Sequence, residues 1–295
     1  MHTVALQKAD PWWEVWHALA DSIQPGLIAN LVVALAEPAR YVAEMAFVYA
    51  LYRRHATDAR TMLEKAVNGQ GTAALHQALL PPITSLMTQA AALPPPIPGG
   101  IATPPPFSIR DPARITMTWQ GRIGRLLTTT KEALGGIVRR ALDSVLPLQA
   151  QAKEILALVG LTEREAKSVA KYRQGLEETQ ASEDHILMLV QRRAEVLREQ
   201  RAARIADAEA MAAITLARQW RMQAAVSGGM VMREVRKRWV LTDERQPPPC
   251  AECKRLARQY ASGIPLEAVF VTAAGEVIGP PGHAHCRCML EYFTT

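Results

Sequence analysis

From Ser182 to Val226 the chain contains neither a glycine nor a proline. An uninterrupted stretch of that length, rich in Ala, Leu, Arg and Gln, is far too long for a strand and predicts a helix. Ser182 with Glu183 and Asp184 opens it, and Ser227-Gly228-Gly229 ends it. Aromatic residues make up only 5% of the sequence, which also favours helices over a β-sandwich or barrel. Hydrophobic residues at 49% and charged residues at 21% exclude wholesale disorder. A length of 295 residues suggests about two domains.

Prolines supply the strongest internal boundary. Pro94, Pro95, Pro96, Pro98, Pro104, Pro105, Pro106 and Pro112 crowd together with Gly99 and Gly100. This composition predicts an extended, semi-rigid linker over 94–112, with a loop folded on its own domain as the alternative. The predicted organisation is mainly α, with a helical N-terminal region at 1–93, this linker, a helical segment at 113–240 and a loop-rich module at 241–295.

Within the first region, Pro25-Gly26 is expected to break a helix carrying Trp12, Trp13 and Trp16. Pro38 is expected to open another, with Tyr41, Met45, Val48, Tyr49 and Tyr52 along its apolar face. Asp58–Leu80 continues the pattern, interrupted near Asn68-Gly69. Further on, Gly160 fits the stop of a helix Ala150–Val159. Thr162 and Glu165 are spaced as a capping box for the next one. Met230–Val240 is expected to form a short basic helix. Val269–Thr272 and Glu276–Ile278, around Ala273-Ala274-Gly275, are expected to form a hairpin.

The formal charge is +6, and all of the excess lies in the middle. Residues 113–240 hold 22 Lys/Arg against 14 Asp/Glu. Gln191–Arg204 interleaves its arginines with Glu195 and Glu199, the spacing of a solvated, self-paired face. Arg233, Arg236, Lys237 and Arg238 have only Glu234 for company, so polyanion contact is expected there. Met1 is followed by no short apolar core with a cleavage site, and the apolar run Leu27–Ala36 is too short to span a bilayer. The expectation is a soluble chain made in a cytoplasm, with no membrane partner.

All four cysteines fall between residues 250 and 288. Cys250 and Cys253 form a C-x-x-C pair. Cys286 and Cys288 lie in the run His283-Ala284-His285-Cys286-Arg287-Cys288. Two short-spaced pairs from two loops are what a tetrahedral Zn²⁺ site needs. The expected ligands are Cys250, Cys253, His283 and Cys286, with Cys288 or His285 as substitutes, and the zinc is expected to be structural. Arg287 and Lys254 are expected to offset thiolate charge. Disulfides are the alternative, disfavoured in a cytoplasm. Trp12, Trp13 and Trp16 are either core residues or anchors for a partner surface.

The second half of the chain resembles a known family. Val159-Gly160-Leu161-Thr162 leads into Arg164-Glu165-Ala166 and Tyr172-Arg173. Arg201–Ala206 with Glu209-Ala210, then Arg238-Trp239 with Asp243-Glu244-Arg245, follow in order. Cys250-x-x-Cys253 and the ending "PPGHAHCRC" complete the set. Together these resemble the phage Mu F-like head morphogenesis family, which includes the minor head proteins of SPP1-type tailed phages. The likeness covers roughly residues 150–292, with Asp207-Ala208-Glu209 where the family commonly has Arg-Thr-Glu and with three prolines before Cys250. It implies an F-like domain and a virion component in few copies. Such a protein would associate with the portal and other head proteins at the vertex or inside the head, act in head assembly and DNA packaging, and pass through the host cytoplasm. Non-specific contact with packaged DNA is part of that expectation, and enzymatic turnover is not. No phosphate-cradling loop, G-x-S-x-G or H-E-x-x-H occurs in the sequence. The competing class is a zinc-ribbon nucleic-acid-binding regulator.

Overall fold

The computed structural model describes residues 12–42, 44–53, 55–93, 112–143, 147–179, 181–231, 234–241, 250–273, 275–283 and 286–295, with the backbone alone for Trp12, Trp13, Glu44, Met45 and Pro112. The protein is mainly α-helical, with a few short strands near the C-terminus. The predicted linker at 94–112 lies outside the described residues except for Pro112, which opens a helix. The order is α1 (Trp12–Arg40), α2 (Glu44–Tyr52), α3 (Ala56–Ala66), α4 (Thr72–Ala92), α5 (Pro112–Leu142), α6 (Leu148–Leu158), α7 (Glu163–Glu177) and α8 (Glu183–Ser227). Then come β1 (Val235–Val240), α9 (Ala251–Gln259), β2 (Ile264–Pro265), β3 (Phe270–Thr272), β4 (Gly275–Val277) and β5 (Met289–Thr294).

The expected break at Pro25-Gly26 does not occur, because α1 runs through it. An interior proline costs about 3 kcal/mol. Trp16, Leu27, Leu31 and Leu35 are all buried, and each such burial contributes about 1.5–3 kcal/mol, so packing outweighs the proline. By length and composition alone, Glu14–Arg40 would also suffice to cross a bilayer. That corrects the impression left by the short run Leu27–Ala36. Pro81 and Pro82 are carried inside α4 in the same way, between buried Leu79 and Ile83.

Pro38 lies in the last turn of α1 and does not open α2. The predicted tyrosine face points outward: Tyr41, Tyr49 and Tyr52 are exposed, whereas Phe47, Ala50 and Leu51 are buried. The predicted interruption at Asn68-Gly69 is a single π-helical turn, Val67–Gly71, joining α3 to α4.

The residues form two compact units, each drawn from separate stretches of chain. One comprises 26–80 and 113–203. In it, the box at Thr162 is formed: Thr162 Oγ1 accepts from Glu165 N, and the Glu165 carboxylate accepts from Thr162 N at 2.8 Å. Gly160 has φ +89, and a Cβ there would collide with the Leu35 carbonyl, so only glycine fits.

Part of the predicted self-paired basic face of α8 is buried in this unit. Arg192 pairs with Glu195 at 3.4 Å as expected. Arg198, in contrast, donates to the carbonyls of Ala157 and Val159, at 2.6 and 3.3 Å. Arg201 donates to the Gly160 carbonyl and to Thr129 and Thr130. These guanidinium groups satisfy carbonyls that the end of α6 leaves without helical partners.

The other unit comprises the described residues of 1–25, 81–112 and 204–295. There Arg221 of α8 caps the end of α4, donating to the Ala91 carbonyl at 2.8 Å and to that of Leu93. A three-stranded antiparallel sheet has the order β2-β1-β5, and β3 pairs with β4 as the predicted hairpin. β1 replaces the basic helix expected at Met230–Val240. Its burial alternates along Val235–Val240, with Val235, Lys237 and Trp239 inward. A period of two buries one face of a strand, and pairing with β5 along its whole length fixes that choice.

Candidate metal centre

The C-terminal core is an aromatic block. Trp239 and Tyr260 each meet Phe270 edge-on, at ring-centroid distances of 5.4 and 5.0 Å. Met222, Val235, Leu256, Leu290 and Tyr292 pack into the same cluster, and Cys253, Cys286 and Cys288 are members of it. The thiols therefore sit at the edge of a dry core. Gly282 makes this possible for the loop carrying His283, since a Cβ there would stand 3.1 Å from Trp239.

Cys250 is the N-cap of α9, with its sulfur accepting from Cys253 N at 3.4 Å. Partial burial raises its pKa, but the hydrogen bonds from Cys253 and the nearby His283 outweigh that and hold it below the usual thiol value. A helix start favours a thiolate for the same reason. Cys253 follows in the first turn and points into the core.

The second donor group comes from the loop before β5. His283 Nε2 lies 3.1 Å from Cys250 Sγ and 3.0 Å from Cys253 Sγ. Cys286 Sγ lies 3.7 Å from Cys253 Sγ. The turn is closed by Cys286 N donating to the His283 carbonyl at 3.2 Å. Two sets of three donors form, Cys250/Cys253/His283 and Cys253/Cys286/Cys288, each with all ligand atoms within 4.8 Å. Cys253 belongs to both.

These five side chains can hold a metal ion. Two thiolates on a tetrahedral zinc, each about 2.3 Å from the ion, stand about 3.8 Å apart. The observed 3.7 Å between Cys253 and Cys286 fits that geometry. Electrostatics point the same way. Hydrogen bonds from Cys253 and Cys288 pull the Cys286 pKa far down, while the Cys253 pKa is driven far up by its bonds to Cys286 and Cys288. For Cys288, the bond to Cys253 lowers the value, but the bond to Cys286 and burial together push it up to about 12. Thiolates this close and this buried repel one another, and a cation would let them ionise together.

The structure brings together Cys250, Cys253, His283 and Cys286, and Cys288 joins them as a fifth donor. His285 lies outside the described residues. Cys288, expected only as a substitute ligand, stands with Cys253 and Cys286 in one group of three donors. The residue between Cys286 and Cys288 faces away. Arg287 donates to Asp21 at 2.7 Å, pairs with Asp207 at 2.6 Å and lies 3.2 Å from His17 Nδ1. It ties the donor loop to α1 and α8, in place of the expected neutralisation of thiolates. Lys254 is exposed on α9.

The expected polyanion cluster is engaged within the fold. Arg233 lies outside the described residues. Lys237 is 1% exposed and donates to the Ile278 carbonyl at 3.0 Å; burial lowers its pKa to about 8. Arg236 donates to the Gly263 carbonyl at 2.8 Å and pairs with Glu234 at 3.6 Å. Arg238 makes two bonds to Glu291, at 2.9 and 3.0 Å. Within the fold these cations face two carbonyls and the carboxylates of Glu234 and Glu291. Trp16 is 1% exposed under the Arg218 guanidinium, 5.2 Å from the ring centre, and so is a core residue and not a partner anchor. The side chains of Trp12 and Trp13 lie outside the described residues.

No family model, curated protein or solved structure matches the chain.

Proposed function

We propose that the chain is a minor head protein of a tailed phage, acting in head morphogenesis at the portal vertex or head interior, with a structural zinc ion closing its C-terminal module. The observation that carries this reading is the ordered set of motifs ending in "PPGHAHCRC", whose cysteines and first histidine meet the C-x-x-C pair at ligand distances. Zinc is the ion of choice for a thiolate-rich set with one imidazole. Cys250, Cys253, His283 and Cys286 would hold it, with Cys288 in reach. The ion would join two segments 33 positions apart, which small loop-rich modules need because their own cores are too small. The work in this reading is recognition and scaffolding, without turnover.

Co-expression with the portal protein encoded in the same genome tests the reading. A complex that survives size-exclusion chromatography is expected, with about one zinc per chain by elemental analysis. Absence of that complex, together with sequence-selective duplex binding and a steep salt dependence, would overturn it in favour of a zinc-ribbon regulator.

A further inference from the structure

With the cations of β1 engaged inside the fold, a different basic surface stands out. The outward stripe of α9 consists of Ala251, Lys254, Arg255, Arg258 and Gln259, all exposed at successive helical turns. Its inward face carries Cys253 and Leu256, both buried. Only Arg255 has a carboxylate partner, Glu252 at 2.7 Å, and that carboxylate also accepts from Ala273 N at 3.0 Å. Lys254 and Arg258, one turn apart, make no ion pair among the described residues. The stripe lines a shallow surface concavity. Its charge is hidden in the sequence totals, because residues 241–295 hold 5 Lys/Arg against 6 Asp/Glu.

We propose that the Lys254–Arg255–Arg258 stripe of α9 is a contact surface for the phosphate backbone of duplex DNA. The chemistry favours a polyanion over a protein partner. A protein interface needs a desolvated apolar or aromatic centre, and this stripe has none. Phosphate contact needs exposed cations on a rigid mount and nothing more. The mount is supplied here by the cap and first turn of α9, which hold two of the metal donors, and by Leu256 in the core. Lys254 and Arg258, four residues apart, stand about 6 Å apart along the helix axis, a spacing at which two long side chains can reach nearby phosphates of one strand. The contact is not sequence-specific. It rests on the head-protein reading and deepens it by naming the surface that meets DNA; unchanged DNA binding by the α9 variant would sink this inference alone, whereas failure to bind the portal protein would sink that reading.

The test is fluorescence anisotropy of the full zinc-loaded chain with a short mixed-sequence duplex, across a salt series. The variant is Lys254→Gln with Arg258→Gln. The control is Arg164→Gln with Lys171→Gln, two exposed cations of α7 with the same change in net charge. The α9 variant should bind at least about tenfold more weakly at moderate salt, with a salt slope shallower by about two, while the control keeps wild-type affinity. Circular dichroism and zinc content should be unchanged in both. Equal loss in the two variants would reduce the effect to net charge and overturn the proposal, as would no loss in either. Absence of DNA binding by the wild type, with portal binding lost in the α9 variant alone, would overturn it in favour of an acidic protein surface.

Discussion

Cys253 is the sulfur that both donor triplets share, so the centre should be unequally sensitive to its cysteines. Replacing Cys253 by Ser is expected to abolish metal retention through gel filtration. Replacing Cys288 by Ser should leave close to one ion per chain, because four donors remain; elemental analysis of the two variants decides this. Lys237 gives a second prediction. Its folded pKa is about 8 against an ordinary 10.5, so between those values the unfolded chain binds the extra proton. Stability from this residue is therefore lowest below about pH 8 and rises as the pH climbs toward 10. Measured against Lys237→Met, the wild type should gain roughly 1–2 kcal/mol of relative stability between about pH 8 and 10 in denaturant titrations. A flat difference would show that Lys237 is not desolvated. The donors themselves were legible because ligand spacing is local chemistry. The role of Arg287 was not, because its partner Asp21 lies 266 positions away.

Elements were legible where local signals and packing agreed. The glycine-free run became α8, and the Thr162 box and the stop at Gly160 formed as read. Thr162→Ala should cost about 1 kcal/mol, the usual loss for a cap. Gly160→Ala should cost more, because it adds a clash with the Leu35 backbone to the strain of a positive φ. Thermal midpoints of the two variants test that order. Signals failed where tertiary burial overrode them. Val235–Val240 contains three cations in a row, which reads as a basic helix, yet Lys237 is drawn inward by alternation and paired neighbours. Pro25 marks a helix end in isolation, but the buried residues on either side keep α1 continuous. The arginines of α8 look solvated because a sequence does not show the unsatisfied carbonyls at the ends of α4 and α6 that receive them.

At the scale of the unit that holds the metal centre, one residue links the donors to the helices. Arg287 lies between two of the sulfurs and grips Asp21 of α1 and Asp207 of α8, while Asp207 also accepts from Gln24 at 3.0 Å. A guanidinium shared by two carboxylates fixes the backbone of 286–288, and that backbone sets where Cys286 and Cys288 point. Removing it would take one donor from Asp207, whose side chain is only 9% exposed. Residues outside the ligand shell that orient donors typically change metal affinity by about ten- to a hundredfold. If the centre holds the proposed zinc, Arg287→Ala should therefore release it to a competing chelator at a concentration at least about tenfold lower than wild type does, although no atom of Arg287 is a ligand. Arg287→Lys keeps a charge but not two parallel donors, and should fall between them. Linkage requires the converse, so stripping the proposed ion from the wild type should lower its thermal midpoint more than it lowers that of the Ala variant. Equal chelator sensitivity in all three proteins would mean that the metal centre and the Arg287 network are energetically independent.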